Sequence, residues 1–172
     1  EAAGHNFLAP GKTSKFYANF DAAAMKSYDI TKSQITSSED LLWMVEEAEK
    51  YTGDYKLIVN TSGSRVVLTK EIEDILAAKT NIHLYINGKI TIAADASEDA
   101  INKLYFDDKN VETTLTIVNK QVAKKEIKNC IDIFVEKTGS LITGNNNITA
   151  VKVVNAGTIS TNVLTAQVEN TG

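Results

Sequence analysis

The feature that most constrains this chain is a short segment that occurs three times near its C-terminus. Val151-Lys152-Val153-Val154-Asn155-Ala156-Gly157 superposes on Ala166-Gln167-Val168-Glu169-Asn170-Thr171-Gly172 at an offset of fifteen. Ile133-Phe134-Val135-Glu136-Lys137-Thr138-Gly139 fits the same frame eighteen residues upstream. A second short strand follows each internal glycine: Ser140-Leu141-Ile142-Thr143 in one copy, Thr158-Ile159-Ser160-Thr161 in the next. Separate hairpins would leave many strand edges open. A solenoid pairs those edges by stacking equivalent strands in parallel from coil to coil. The frame predicts two inward columns, Ile133–Val151–Ala166 and Val135–Val153–Val168. Asn155 and Asn170 fall at the turn, where left-handed backbone is tolerated and side-chain amides can stack along a ladder. Looser copies lie around Asn60, Asn87 and Asn119, at spacings of twenty-seven and thirty-two, as expected if helices or loops are inserted between coils.

Upstream of these copies one helix is strongly signalled. Ser37-Ser38-Glu39-Asp40 places acids in a first turn behind a capping serine. Leu41, Met44, Val45, Ala48 and Tyr51 then form one apolar stripe, and Gly53 stands where a left-handed C-cap belongs. Strand-like runs follow at 56–60, 65–68, 83–92, 114–119, 131–135, 150–155 and 166–170. Short helices are predicted over 70–79, after Thr69, and over 97–104, capped by Ser97. The first thirty-six residues, with Pro10 and the cluster Phe16-Tyr17-Ala18-Asn19-Phe20, read as a lead that packs its aromatics on the body, with a linker from a preceding domain as the alternative.

An amphipathic helix from Ser38 to Tyr51 feeding Leu57-Ile58-Val59-Asn60, then coils marked by Asn155-Ala156-Gly157-Thr158-Ile159, resembles the right-handed parallel β-helix of the pectate-lyase-like superfamily and the secreted or cell-surface bacterial β-solenoids. The resemblance covers residues 37–172. It implies a mainly β solenoid whose N-terminal amphipathic helix caps the open end of the core. The expected organisation is a lead over 1–36, a capping helix over 37–55 and coils over 56–172. Because Asn170-Thr171-Gly172 is the turn of an unfinished coil, the array is expected to continue or to be covered by another chain. A leucine-rich repeat competes over 56–119, where strands and helices alternate. Its register fails at Leu115-Thr116-Ile117-Val118-Asn119, where the asparagine falls one residue early.

Chemistry is sparsely signalled. A net charge of −4 argues against non-specific nucleic-acid binding. Arg65 is the sole arginine among eighteen basic residues, so paired guanidiniums cannot grip a phosphate or carboxylate. Cys130 is the only cysteine and reads as a small apolar residue in a strand. Two histidines, His5 and His83, are too few for an imidazole metal centre. No apolar run is long enough to span a bilayer. Glu1-Ala2-Ala3-Gly4-His5 lacks a signal peptide's basic flank and apolar stretch. Either the protein is cytoplasmic or the sequence begins after a removed leader; the expected location is extracellular or at the cell surface, with the leader absent from this sequence. The acidic–histidine pair that follows a tryptophan in pectate lyases is missing, and Trp43 lies on the helix instead.

Asp107, Asp108 and Asn110 offer oxygen ligands to calcium, against the simpler reading of a charged turn. Lys120 to Lys128 is lysine-rich, but Val122, Glu126 and Ile127 make it an ordinary solvated segment. Tyr85, Tyr105, Phe106 and Phe134 are the candidate carbohydrate contacts if they face outward. The expectation is therefore a non-catalytic β-solenoid module acting as scaffold, stalk or adhesive surface. No catalytic residue is nominated, and no cofactor beyond the calcium candidate. The expected partner is a polysaccharide or another chain covering the last coil. A glycan binder, or part of a polysaccharide lyase or hydrolase, is the alternative on the same fold.

Overall fold

Runs in which buried and half-buried side chains alternate build most of the chain, as a period of two requires of a strand with one face on a core. The computed structural model describes residues 4–6, 19–21, 27–48, 55–61, 66–79, 82–106 and 111–171. The elements run β1 (Gly4–Asn6), β2 (Asn19–Asp21), β3 (Ser27–Ile35), α1 (Ser38–Ala48), β4 (Tyr55–Thr61), β5 (Val67–Leu68) and α2 (Lys70–Ala78). β6 (Ile82–Ile92), a 3-10 helix (Ala100–Lys103), β7 (Leu104–Phe106), β8 (Thr113–Ile117), β9 (Lys120–Val122) and β10 (Ile127–Val135) follow. β11 (Ser140–Ile142), β12 (Ile148–Asn155), β13 (Thr158–Ser160) and β14 (Leu164–Asn170) complete the series.

Among the described residues the main sheet has the order β1-β2-β3-β4-β6-β8-β10-β12-β14. From β3 onward every pairing in it is parallel. A second, three-stranded sheet, β9-β11-β13, is parallel as well. The fold is thus mainly β with stacked parallel strands, an arrangement compatible with a solenoid.

The core is a set of columns running across the main ladder. Leu57, Leu84 and Leu104 are in register, as are Ile90, Leu115, Ile133 and Val153, and nearly all of their surface is buried. Each such side chain contributes about 1.5–3 kcal/mol by leaving water. β6 belongs to two parts of the sheet, pairing first with β4 and β7 and then, past Gly88, with β5 and β8. Gly88 has φ +129°, and a Cβ there would lie 2.0 Å from the Thr61 carbonyl oxygen. Only glycine lets the two strands approach so closely at this kink.

Opposite the main sheet, successive connections stack on one another. α1 packs on β3 and α2, α2 on the 3-10 helix, and the 3-10 helix on β9, where the second sheet takes over. The predicted cap of α1 forms: Ser37 Oγ accepts from the Asp40 amide at 3.3 Å. Leu41, Met44 and Val45 are fully buried, while Tyr51 and Gly53 lie outside the described residues. The resemblance set α1 over an open end of the core. In the structure β3 precedes α1 and pairs with β4, so the helix serves as the crossover between two neighbouring strands. α2 begins after Thr69, whose hydroxyl accepts from the Ile72 amide, as expected.

The helix predicted over 97–104 shrinks to the 3-10 helix. Ser97 does not cap it; its hydroxyl donates to buried Glu73 and accepts from the Asp99 amide. Gln121, fully buried, stitches the 3-10 helix to β9. Its Oε1 accepts from the Ile101 amide at 2.8 Å, and its Nε2 donates to the Ser97 carbonyl and to Asn119 Oδ1.

The repeat is confirmed in part and corrected in part. Val153 pairs with Val168 and Asn155 with Asn170, at the offset of fifteen. The amide ladder exists too: Asn155 Nδ2 donates to Asn170 Oδ1 at 3.2 Å, and Asn87 Nδ2 to Asn60 Oδ1 at 2.9 Å. Ser140 pairs with Thr158 at the predicted offset of eighteen. Ile133, however, pairs with Val153 rather than Val151, an offset of twenty. The turn 136–139 is two residues longer than the turn 156–157, so the long strands slip while the glycines and short strands stay aligned. A Cβ on Gly157 would in fact lie 2.2 Å from the Gly139 carbonyl oxygen.

The true columns are therefore Ile133–Val153–Val168 and Val135–Asn155–Asn170. Val151 falls at the register shift between Thr149 and Lys152 and is 64% exposed. Asn119 does not continue the Asn60–Asn87 ladder, because β8 pairs with the far half of β6. Its side chain donates to the Ala96 carbonyl instead.

Candidate binding groove

On β6 the residues between the buried Ile82, Leu84 and Ile86 are His83 and Tyr85, which point away from the core. β7 adds Tyr105, in register with Tyr85. Neighbouring strands lie about 4.8 Å apart, and the two tyrosine rings accordingly stack at 5.0 Å with 19° between their planes. His83 meets Tyr105 edge-on at 5.7 Å. Lys125, from the segment between β9 and β10, sets its ammonium 3.6 Å from the Tyr105 ring centroid. The same ammonium donates to the carbonyls of Leu104 and Asn102. Tyr105 is thus flanked by a stacked ring and by a cation.

β10 opens with a bulge. Its register with β12 shifts between Ile127 and Cys130, and Asn129 has φ +66°. A non-glycine residue in left-handed backbone beside a bulge re-aims its neighbours. Here Lys128 and Asn129 come to line a groove of about 410 Å³ together with Tyr85, Tyr105, Phe106 and Lys125. Glu126 adds a carboxylate to the same wall. Asn129 Nδ2 donates to the Phe106 carbonyl at 3.4 Å, tying the bulge to β7. Burial, and secondarily the charge of Lys103, push the Lys125 ammonium down to about 8.

Three of the four nominated aromatics therefore converge, in unequal roles. Tyr85 and Tyr105 stand on the outer face. Phe106 alternates inward, is 7% exposed and closes the groove as part of the core. Phe134 does not join them; it lies in register with Thr116 and Val154, further along the sheet. Asp107, Asp108 and Asn110, the calcium candidates, lie outside the described residues, as does Arg65. Among the described residues no group of three or more histidine, cysteine, aspartate or glutamate side chains could hold a metal ion.

The lysine-rich segment divides. Lys120 and Lys124 are exposed and pair with Glu98 at 3.4 Å and Asp99 at 3.6 Å, as a solvated face should. Lys125 turns in, which the alternation of charge and apolar residues did not signal. Cys130 is buried in β10, and burial pushes its thiol up to about 12, in keeping with a packing role. No helix among the described residues is long and apolar enough to cross a membrane. Compared with known proteins, the chain matches no family model, no curated sequence and no solved structure.

Proposed function

We propose that this chain is a right-handed parallel β-helix module of a secreted or cell-surface protein, a non-catalytic scaffold that holds a glycan in the groove beside Tyr85 and Tyr105. The observation that carries the reading is the pair of stacked outer-face tyrosines next to bulge-mounted Lys128 and Asn129. A sugar presents an apolar C–H face and a rim of hydroxyls. Tyrosine rings suit the first, and the second needs donors and acceptors at fixed positions. Lys128 and Asn129 supply donors, while Glu126 and the Asn129 carbonyl oxygen accept. The volume lies within the range of about 300–1,000 Å³ usual for ligand sites. Rigid strands carry the tyrosines, which suits a surface that binds without reorganising.

A glycosidase of the two-carboxylate kind needs a pair of acids flanking one bond. Among the described residues the acid that lines the groove is Glu126, and product analysis distinguishes binding from hydrolysis. The test is calorimetric titration with a panel of oligosaccharides, backed by product analysis after prolonged incubation. At least one saccharide class should bind, the Tyr85→Ala variant should bind it at least about tenfold more weakly, and no shortened or unsaturated product should accumulate. Unchanged affinity in a folded Tyr85→Ala variant would overturn the assignment of the groove. Product release would overturn the non-catalytic part.

A further inference from the structure

A second hollow of about 230 Å³ shares Tyr105 with the groove and is lined also by Ala77, His83, Asn102 and Lys103. Lys125 lines the groove and Lys103 the second hollow, on either side of the shared Tyr105. The Lys125 ammonium is held by the carbonyls of Asn102 and Leu104, the two residues that flank Lys103. Two cations are therefore gathered around one tyrosine in a chain whose net charge is −4. Among the described residues neither has a carboxylate at salt-bridge distance, although Lys120 and Lys124 nearby do. Lys103 is part of what pushes the Lys125 ammonium down. A like-charged pair kept together without a counter-ion is what an anion would relieve.

We propose that the glycan held in this site carries an anionic substituent, a carboxylate or a sulfate, seated beside Tyr105 against the ammonium groups of Lys103 and Lys125. This rests on the glycan reading above and adds the chemical class. Lysine supplies point charges rather than a planar fork, so either anion satisfies it. The anion would stabilise charged Lys125, and binding near pH 8 would take up a proton. The charged and titratable groups around Lys125 are Lys103 of the 3-10 helix, Tyr105 of β7, His83 and Tyr85 of β6, and Glu126 and Lys128 of its own segment. Lys124 is turned to Asp99.

Three probes test this: neutral gluco-oligosaccharides, their uronic-acid counterparts and their sulfate esters, each titrated at low and high salt. The charged forms should bind at least about tenfold more tightly at low salt, and salt should erase the difference. Lys103→Gln should remove the advantage and leave the neutral affinity unchanged. The binding heat at pH 8 should vary with the buffer's ionisation enthalpy in the parent protein and not in Lys125→Met. Which charged form binds better separates carboxylate from sulfate. Equal affinity for neutral and charged forms, with Tyr85→Ala still damaging, would overturn the anionic substituent and leave the glycan reading standing. Binding of none of the three would overturn both.

Discussion

The two halves of the ladder cross the molecule by different means, and repeat length follows the means. Where helices make the return, twenty-seven residues separate Ile58 from its partner Tyr85. Where short strands make it, eighteen separate Leu115 from Ile133 and twenty separate Ile133 from Val153. A helix rises about 1.5 Å per residue and a strand about 3.3 Å. The nine residues of α2 therefore cover about 13 Å, and the three of β9 about 10 Å. The main sheet runs on unbroken because its own pairing depends only on register, not on what closes each repeat. The groove lies where the two kinds of return meet, with Tyr85 and Tyr105 on the helical side and Lys125, Lys128 and Asn129 on the strand side.

Burial separates the halves further. Leu84 sits between Leu57 and Leu104 and is fully buried, whereas Val168 of β14 is 42% exposed. Leu84→Ala should lower stability by about 3 kcal/mol, removing transfer energy and leaving a cavity. Val168→Ala should lower it by about 0.5 kcal/mol or less. Urea midpoints at constant slope would measure both. Equal losses would break the comparison, by showing that the last repeat is as firmly held as the first.

A smaller loss is expected at the joint. Gln121→Ala strands the Ile101 amide and takes one of two donors from the Ser97 carbonyl, which keeps the Ala100 amide, a cost of about 2 kcal/mol. Hydrogen exchange should rise around 97–101 and 119–123 while Leu115 and Ile133 stay protected. Uniform acceleration across the sheet would mean that the halves do not open separately.

How much of this was legible depends on whether spacing survives insertion. From Lys152 to Asn155 the offset of fifteen carries no insertion, and the pairs Val153–Val168 and Asn155–Asn170 are readable directly. The next repeat keeps its glycine and short strand at eighteen but holds two extra turn residues. A gapless match cannot divide these, so it puts Val151 in the core column that Val153 fills. The slip of two preserves side-chain parity, which is why the error was invisible in the pattern. The helices were legible from their caps at Ser37 and Thr69. Their stacking into one side was not, because it depends on pairing β3 with β4 across α1. At the groove, period-two alternation marked Tyr85 and Tyr105 as outward. Lys125 and Asn129 depend on a bulge and a left-handed residue, and neither has a glycine or proline to announce it.

A pH dependence sets the joint against the strand half. Lys125 falls from 10.5 in the unfolded chain to about 8 in the fold, chiefly through burial. Between those values the unfolded chain holds more protons, so stability rises with pH across that window and is flat outside it. Cys130 moves the other way, from 9.0 to about 12, also through burial. Above 9.0 the unfolded chain gives up a proton that the fold retains, and stability falls as pH rises. Lys125 therefore acts alone between about 8 and 9.0, and the two oppose each other above that. Urea midpoints followed through this range should rise in the parent protein and in Cys130→Ala, and stay level in Lys125→Met. Past 9.0, Cys130→Ala should keep rising where the parent flattens. A Lys125→Met variant with the parent's slope would place that ammonium in water, and the joint would then be open where its contacts with Tyr105, Asn102 and Leu104 make it closed.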